Sequence, residues 1–223
     1  MPVVSGLAPD LDAVWGYLAE TADFFGVRMP AGDVLAATIG PFLARVVGVP
    51  MVAVDVTLVE LDDSAEFVIT GRAVRPIRSE PARIDVCDVV FPLTRASDPR
   101  WRRMAARTTS RAAEDKLRRW LNDRGYADGV SGGPPRGVPF LGALVFQRGD
   151  DVCGLDNAEP TSILSQLQSC GAVAEVRRVQ DWPEDAERVW WISPDFETHP
   201  VAAVGVTQYR VDAGAAPTFV RVR

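Results

Sequence analysis

The chain has 223 residues, 47% of them hydrophobic, and a formal net charge of −6. This length and apolar content suffice for one sizeable core or two small ones. The acidic balance argues against binding to nucleic acid or to an anionic membrane surface, because both attract basic proteins.

Two helical patterns open the chain. Asp10 is placed to cap a helix whose apolar residues recur at helical spacing up to Gly26. A second helix is predicted from about Asp33 to about Val46, with a kink or break at Gly40-Pro41.

From Met51 onwards the apolar period changes to two, which is typical of strands. Strands are predicted at residues 51–59, 66–74 and 83–91. Helices followed by strands favour an α+β layer over a βαβ repeat. The polar residues 92–98, PLTRASD, predict a joint between a small α+β domain at 1–95 and a second domain at 99–223.

Residues 99–130 carry the most regular helical pattern and predict one arginine-rich amphipathic helix. Arg111 and Asp115 are spaced for an ion pair on its solvated side, and Gly125 suits a left-handed C-terminal cap. The apolar stripe consists of Ala106, Ala113, Leu117, Trp120 and Leu121.

The second half is strand-rich. Strands are predicted at 138–147, 172–179, 188–193 and 201–206, and two more near the C-terminus. Residues 148–151, RGDD, have hairpin-turn chemistry. Pro160 and Gly171 suit the start and end of a helix, and the loop PDFETHP at 194–200 carries His199.

Three strings, in this order, carry a family resemblance: RTTSRAAEDKLRRWLNDRGYADGV (107–130), LGALVFQRGDDVCGLDNAEPTSILSQLQSCGA (141–172) and AERVWWISPDFETHPVAAV (186–204). They resemble the class IV aminotransferases, which are fold-type IV pyridoxal-phosphate (PLP) enzymes that include branched-chain aminotransferases and aminodeoxychorismate lyases. In that family a lysine opens the first string, and a helix start in the second holds the cofactor phosphate. The resemblance covers about residues 11–206.

The resemblance implies a two-part α+β fold, with a small N-terminal α/β layer and a strand-rich C-terminal pseudo-barrel with packed helices. The chain begins where family members are already past their first strands, so the implied fold is N-terminally shortened. It also implies a homodimer, because family members are homodimers.

Two positions depart from the family's chemistry. Arg107 stands where the family has its Schiff-base lysine, and a guanidinium cannot serve as an amine nucleophile at neutral pH. In the family, a glutamate protonates the pyridine nitrogen of the cofactor. The corresponding position in this chain falls near Pro139, so that acid is missing. Lys116 is the only lysine, and nine residues of helix place it on a different side. A standard PLP transaminase is therefore disfavoured.

The expected site is an anion clamp. Arg107 would bind a carboxylate or phosphate together with the free amides of the helix start near Thr161 and Ser162. Those hydroxyls equally suit ordinary helix capping. Asp156 and Asn157, with Glu159, either position a ligand in the pocket or only turn the chain.

His199, the only histidine, is the candidate general acid or base at the rim of the pocket, although a lone loop histidine is more often incidental. Ser193, at the end of the strand 188–193, is the remaining expected pocket residue. The three cysteines form no CxxC or Cys/His spacing, so no metal site and a reducing, cytoplasmic compartment are expected. No signal peptide or membrane span is predicted.

The leading hypothesis is a divergent class IV aminotransferase-like protein. It would handle a small acidic metabolite without a pyridoxal Schiff base, by elimination, isomerisation or cyclisation, and no cofactor is expected. The first alternative is a genuine PLP-dependent aminotransferase or lyase that uses Lys116 or a different pairing. The second is a noncatalytic binding or partner subunit.

Overall fold

The computed structural model describes residues 1–62, 64–88, 98–109, 112–132, 137–156, 162–180, 183, 185–211 and 215–222. Within them, no helix is both long enough and apolar enough to cross a membrane. The helices are α1 Leu11–Phe25, α2 Gly32–Arg45, α3 Arg100–Ala106, α4 Ala112–Asp123 and α5 Ile163–Ser169. The strands are β1 Pro2–Val4, β2 Met51–Glu60, β3 Ala65–Ala73, β4 Ala82–Cys87, β5 Asp128–Ser131, β6 Ala143–Arg148, β7 Asp151–Leu155, β8 Arg177–Arg178, β9 Arg188–Ile192, β10 Thr198–Val204 and β11 Thr207–Gln208.

The two N-terminal helices follow their sequence signals. The Asp10 carboxylate accepts a hydrogen bond from Ala13 N at 2.9 Å, and Gly26 ends α1 in the left-handed region at φ 74°. Pro41 lies inside α2, which continues to Arg45, so the predicted break is wrong. Burial of α2 residues Leu35 and Ile39 offsets the backbone hydrogen bond that proline removes.

The central helix is two helices, not one as predicted. α3 ends at Ala106 because Arg107 N and Thr108 N donate to carbonyls three residues earlier, at 3.0 and 3.3 Å. The Thr108 hydroxyl also donates to Ala105 O at 2.8 Å and so competes for the helix carbonyls. Of the predicted stripe, Leu117 and Leu121 of α4 are buried, whereas Ala106 and Ala113 are exposed.

A small antiparallel sheet, in the order β1-β2-β3, packs against α2. β2 and β3 pair in continuous register, from Val52 opposite Ala73 to Glu60 opposite Ala65. The core between this sheet and the helix contains Val3, Ile39, Val52 and Val54, flanked by Phe42 and Leu43.

The larger sheet has the order β5-β4-β10-β9-β6-β7-β8, with β11 paired to β10. β4 pairs in parallel with both β5 and β10. It thus belongs to the larger sheet, although it precedes residue 95. The joint predicted at 92–98 falls almost wholly outside the described residues, and the division at 95–99 stays a prediction.

Residues from both sheets share one core. Met51, Ala53 and Val74 of the small-sheet region pack in the same cluster as Trp190 and Phe219. The cluster is completed by Ala143, Val145, Leu164, Leu167, Ala172, Val173, Val176, Ile192, Phe196, Val220 and Val222.

The hairpin predicted at 148–151 is confirmed, with Gly149 at φ 53° between β6 and β7. Other strands are shorter than predicted. Of residues 172–179 only Arg177–Arg178 form a strand, beside an isolated bridge between Val173 and Val220. His199 lies within β10, so its predicted loop position is wrong.

Candidate functional site

Arg107 lies directly after α3 and faces α1. Its Nη1 donates to the Glu20 carboxylate at 2.5 Å, and the guanidinium lies over the Tyr17 ring at 4.2 Å. The side chain is 18% exposed, whereas that of Glu20 is 43% exposed. Arg107 is therefore held by packing on an aromatic face, and Glu20 is the more exposed member of the pair.

A cavity of about 730 Å³ opens beside this arginine, and we name it the α1/β2 cleft. α1 forms one wall, β2 with Thr70 of β3 forms another, and the residues after α3 close one end. Its lining residues are Leu18, Thr21, Ala22, Phe25, Val27, Asp55, Val56, Thr57, Leu58, Glu60, Thr70, Arg107, Thr108 and Thr109.

The cleft is polar and of mixed charge. Its lining includes the basic residue Arg107, the acidic residues Asp55 and Glu60, and threonines on every wall. The hydrogen bond from Arg107 lowers the pKa of Glu20, assisted by the charges of Arg107, Arg103 and Arg100. Glu20 is consequently an ionised competitor for any anion that approaches Arg107 at neutral pH.

The start of α5 already contains an anion from the chain itself. The buried Asp156 carboxylate accepts from Leu164 N at 3.3 Å and pairs with Arg178. The Ser162 hydroxyl caps the helix by accepting from Ser165 N at 3.4 Å. Ser162 and Asp156 thus lie together, whereas Thr161, Asn157 and Glu159 lie outside the described residues.

His199 and Ser193 lie at the hairpin between β9 and β10. His199 Nδ1 is 3.2 Å from Glu80 O, its Nε2 is 3.8 Å from the Glu197 carboxylate, and its ring packs on Trp191. The Ser193 hydroxyl accepts from the backbone N–H groups of Asp195 and Glu197, both at 3.2 Å.

Of the predicted site residues, Arg107 lines the α1/β2 cleft, whereas Ser162, Asp156, Ser193 and His199 are not among its lining residues. The sequence did not single out Glu20, Asp55 and Glu60 for this site. Glu20 is 87 residues from Arg107, and no spacing rule links residues so far apart.

The sequence matches no protein-family model and no curated protein. Solved structures do match its fold. A fold IV-transaminase from Curtobacterium pusillum superposes with a TM-score of 0.59 at 17% identity, covering 95% of this chain and 80% of that chain. This chain has the fold-type IV transaminase fold.

Other fold-type IV structures agree. An aminotransferase from Brucella abortus bound to PLP gives a TM-score of 0.60 at 12% identity, over 95% of this chain and 81% of that chain. A branched-chain aminotransferase from Thermoproteus uzoniensis, with norvaline, superposes with a TM-score of 0.55 at 12% identity, over 90% of this chain and 73% of that chain. The resemblance in sequence is confirmed at the level of the fold.

The residues present do not fit a PLP covalently held in the manner of the fold-type IV family. Arg107 has no primary amine, and Lys116 is exposed on α4 beside the buried Leu117. Pro139 is buried and bridged to Val130, and it carries no acid for a pyridine nitrogen. At the start of α5, the N–H groups of Leu164 and Ser165 already donate to the Asp156 carboxylate and the Ser162 hydroxyl, which would compete with a phosphate group there.

Proposed function

We propose that this fold-type IV protein binds a small anionic metabolite in the α1/β2 cleft and forms no pyridoxal Schiff base. The observation that supports this most directly is the position of Arg107. Arg107 lines the cleft, and its guanidinium packs on Tyr17 and pairs with the exposed carboxylate of Glu20. A ligand carboxylate would replace Glu20 as the partner of this preoriented arginine.

The other charges in the cleft favour a ligand of low charge. Asp55 and Glu60 line the same cavity and would repel a multiply charged anion such as a diphosphate. Thr57 and Thr70 lie in the same lining, and their hydroxyl groups are of the type that hydrogen-bonds to ligand hydroxyls. A hydroxylated monocarboxylate fits this combination best.

If the protein is an enzyme, its reaction is an elimination, isomerisation or cyclisation that needs proton transfer but no electron sink. Arg107 would hold the ligand anion. His199 remains a candidate proton carrier from the sequence, but Asp55 and Glu60 line the cleft and His199 is not part of that lining. We therefore propose the two carboxylates as the proton carriers.

Calorimetric titration with lactate and glycerate tests the clamp. The change Arg107→Leu should raise the Kd at least about tenfold, because the charge-assisted hydrogen bond is lost. Glu20→Gln should lower the Kd several-fold, because a competing anion is removed.

The chain offers a matched control on the same two helices. Arg100 pairs with Asp23 of α1 at 3.3 Å and lies over the Phe24 ring at 5.5 Å, but neither member of this pair lines the cleft. Arg100→Leu and Asp23→Asn should leave the Kd unchanged. Equal effects at both pairs, or tighter binding in Arg107→Leu, would contradict the clamp.

The alternative of a PLP enzyme is supported by the PLP-bound relative from Brucella abortus. Incubation with PLP, reduction with borohydride and peptide mass mapping separate the two proposals. We expect no more reduced adduct in the wild type than in Lys116→Arg. A stoichiometric adduct on Lys116, with a visible absorbance band that the variant lacks, would establish the alternative.

We also propose that the protein is a cytoplasmic homodimer. The location is supported by three free cysteines, Cys87, Cys153 and Cys170, which a reducing compartment preserves. The dimer is implied by the family resemblance, and the next subsection specifies the surface that forms it.

A further inference from the structure

The outer edge of β3 is the feature that the cleft does not explain. Within the described residues, β3 pairs with β2 on one side only, and it is an edge strand of the small sheet. Its nine residues run in continuous register without a bulge and contain neither proline nor lysine. Bulges, prolines and lysines are features by which proteins commonly protect edge strands. Because β3 lacks them, its edge is suited to pairing with another strand.

The hydrogen bonds of β2 show which backbone groups of β3 face outwards. Val54 N donates to Met1 O at 2.7 Å, so Val54 turns its backbone towards β1. Val74 N donates to Met51 O at 3.0 Å, so Met51 and alternate residues after it face β3. The β3 residues that direct their N–H and C=O groups to the free edge are therefore Ala65, Phe67, Ile69, Gly71 and Ala73.

We propose that a second copy of this chain pairs with the β3 edge in antiparallel orientation, with the two-fold axis at Ile69. In this register Ile69 faces its own copy, Phe67 faces Gly71, and Ala65 faces Ala73. Every outward-facing residue then meets an outward-facing residue, which gives about ten backbone hydrogen bonds. Two small sheets become one continuous sheet.

Charge complementarity between the two copies favours this register over other registers. Glu66 of one copy lies opposite Arg72 of the other, and the symmetry repeats the pair. Both residues are exposed in the chain. Arg72 also pairs with Asp195 of its own chain, but its side chain is 46% exposed and remains accessible to a second carboxylate. Exposed Val68 lies opposite Thr70 on the same face.

This inference rests on the proposed homodimer and is independent of the ligand. Sedimentation velocity and light scattering on the full chain test it. Glu66→Arg places two arginines opposite each other and should raise the dimer Kd more than about tenfold. Arg72→Glu should do the same with two glutamates.

Mixing gives the decisive measurement. A Glu66→Arg copy and an Arg72→Glu copy are complementary at both positions, so an equimolar mixture should form a heterodimer although each variant alone dissociates. The double variant E66R/R72E should dimerise like the wild type. Failure of both rescues overturns the proposed register.

Control variants distinguish an effect on the interface from a general effect of net charge or a loss of folding. Asp123→Arg, at the exposed end of α4, changes the net charge equally and should leave the dimer intact. Asp195→Asn removes the internal partner of Arg72 and should not weaken the dimer. Thermal melts establish that each variant is folded. A dimer that persists in Glu66→Arg overturns the edge pairing alone, whereas a monomeric wild type overturns the homodimer as well.

Discussion

Asp128 lies wholly inside the protein on β5, and its carboxylate accepts four N–H groups. The donors are Gly129 N at 2.7 Å, Leu141 N at 3.1 Å, Gly142 N at 2.7 Å and the indole of Trp191 at 2.9 Å. One side chain thus fixes the approach to β6 and the position of a β9 side chain. The sequence analysis did not single it out, because its partners are brought to it only by the fold.

We expect Asp128→Ala to destabilise the protein by about 3 kcal/mol at pH 7, because four buried N–H donors would lose their acceptor. Urea unfolding followed by fluorescence measures this. Asp123→Ala, which is exposed at the end of α4, is the matched control and should change stability by less than about 0.5 kcal/mol. Equal effects of the two changes would contradict the role of Asp128.

The same residue predicts a pH dependence. Burial raises the pKa of Asp128 to about 6, although the backbone and Trp191 hydrogen bonds lower it in part. The folded state therefore holds a proton that the unfolded state has released above about pH 4. This contribution to stability is fully present below about pH 4 and is lost as the pH rises through about 6.

The stability of the wild type relative to Asp128→Ala should accordingly decrease between pH 4 and pH 7, by on the order of 3 kcal/mol. Urea midpoints measured across this range provide the test. If this stability difference instead increases with pH, the four hydrogen bonds lower the pKa of Asp128 by more than burial raises it.

At the level of single elements, replacing two glycines by alanine is expected to change the stability in opposite directions. A Cβ at Gly142 would lie 2.3 Å from Ile192 O and 2.4 Å from Trp191 Nε1, so Gly142→Ala must displace the strand β9. A Cβ at Gly16, in the exposed face of α1, meets nothing within 4 Å. Gly142→Ala should cost more than about 2 kcal/mol, whereas Gly16→Ala should stabilise by about 0.5–1 kcal/mol. Thermal melts of both variants give the comparison.

The elements that sequence predicts well are those whose signals are local. Asp10 and Gly26 delimit α1 within three or four residues of the groups they bond, and the Gly149 turn joins strands that touch it. The break after α3 was missed because a helical stripe continues through Arg107, while the competing Thr108 hydroxyl contributes little to the apolar pattern. Periodicity alone overestimated that helix.

The candidate site was predicted only in part for a related reason. The resemblance identified Arg107 and the fold, but the partner of that arginine, Glu20, comes from a helix 87 residues away. His199 was expected in a loop, and the pairing with Trp191 that places it in β10 depends on tertiary contacts. Carboxylate positions in a cleft follow from packing, which one sequence does not reveal.

For the molecule as a whole, the shared core predicts one cooperative unfolding transition. Met51, Ala53 and Val74 of the small-sheet region pack with Trp190 and Phe219, so neither sheet can lose its core alone. Tryptophan fluorescence and far-ultraviolet circular dichroism should give coincident urea curves. Two separated midpoints would show that the small sheet unfolds independently.

The bridge between Val173 and Val220 has a consequence for synthesis on the ribosome. Phe219 and Val222 cover the core around α5, yet they follow that helix by many residues. Until the segment Phe219–Val222 leaves the exit tunnel, Leu164 and Trp190 face water on a nascent chain whose sheets are otherwise complete. That interval is when a chaperone near the ribosome would find an apolar surface to bind.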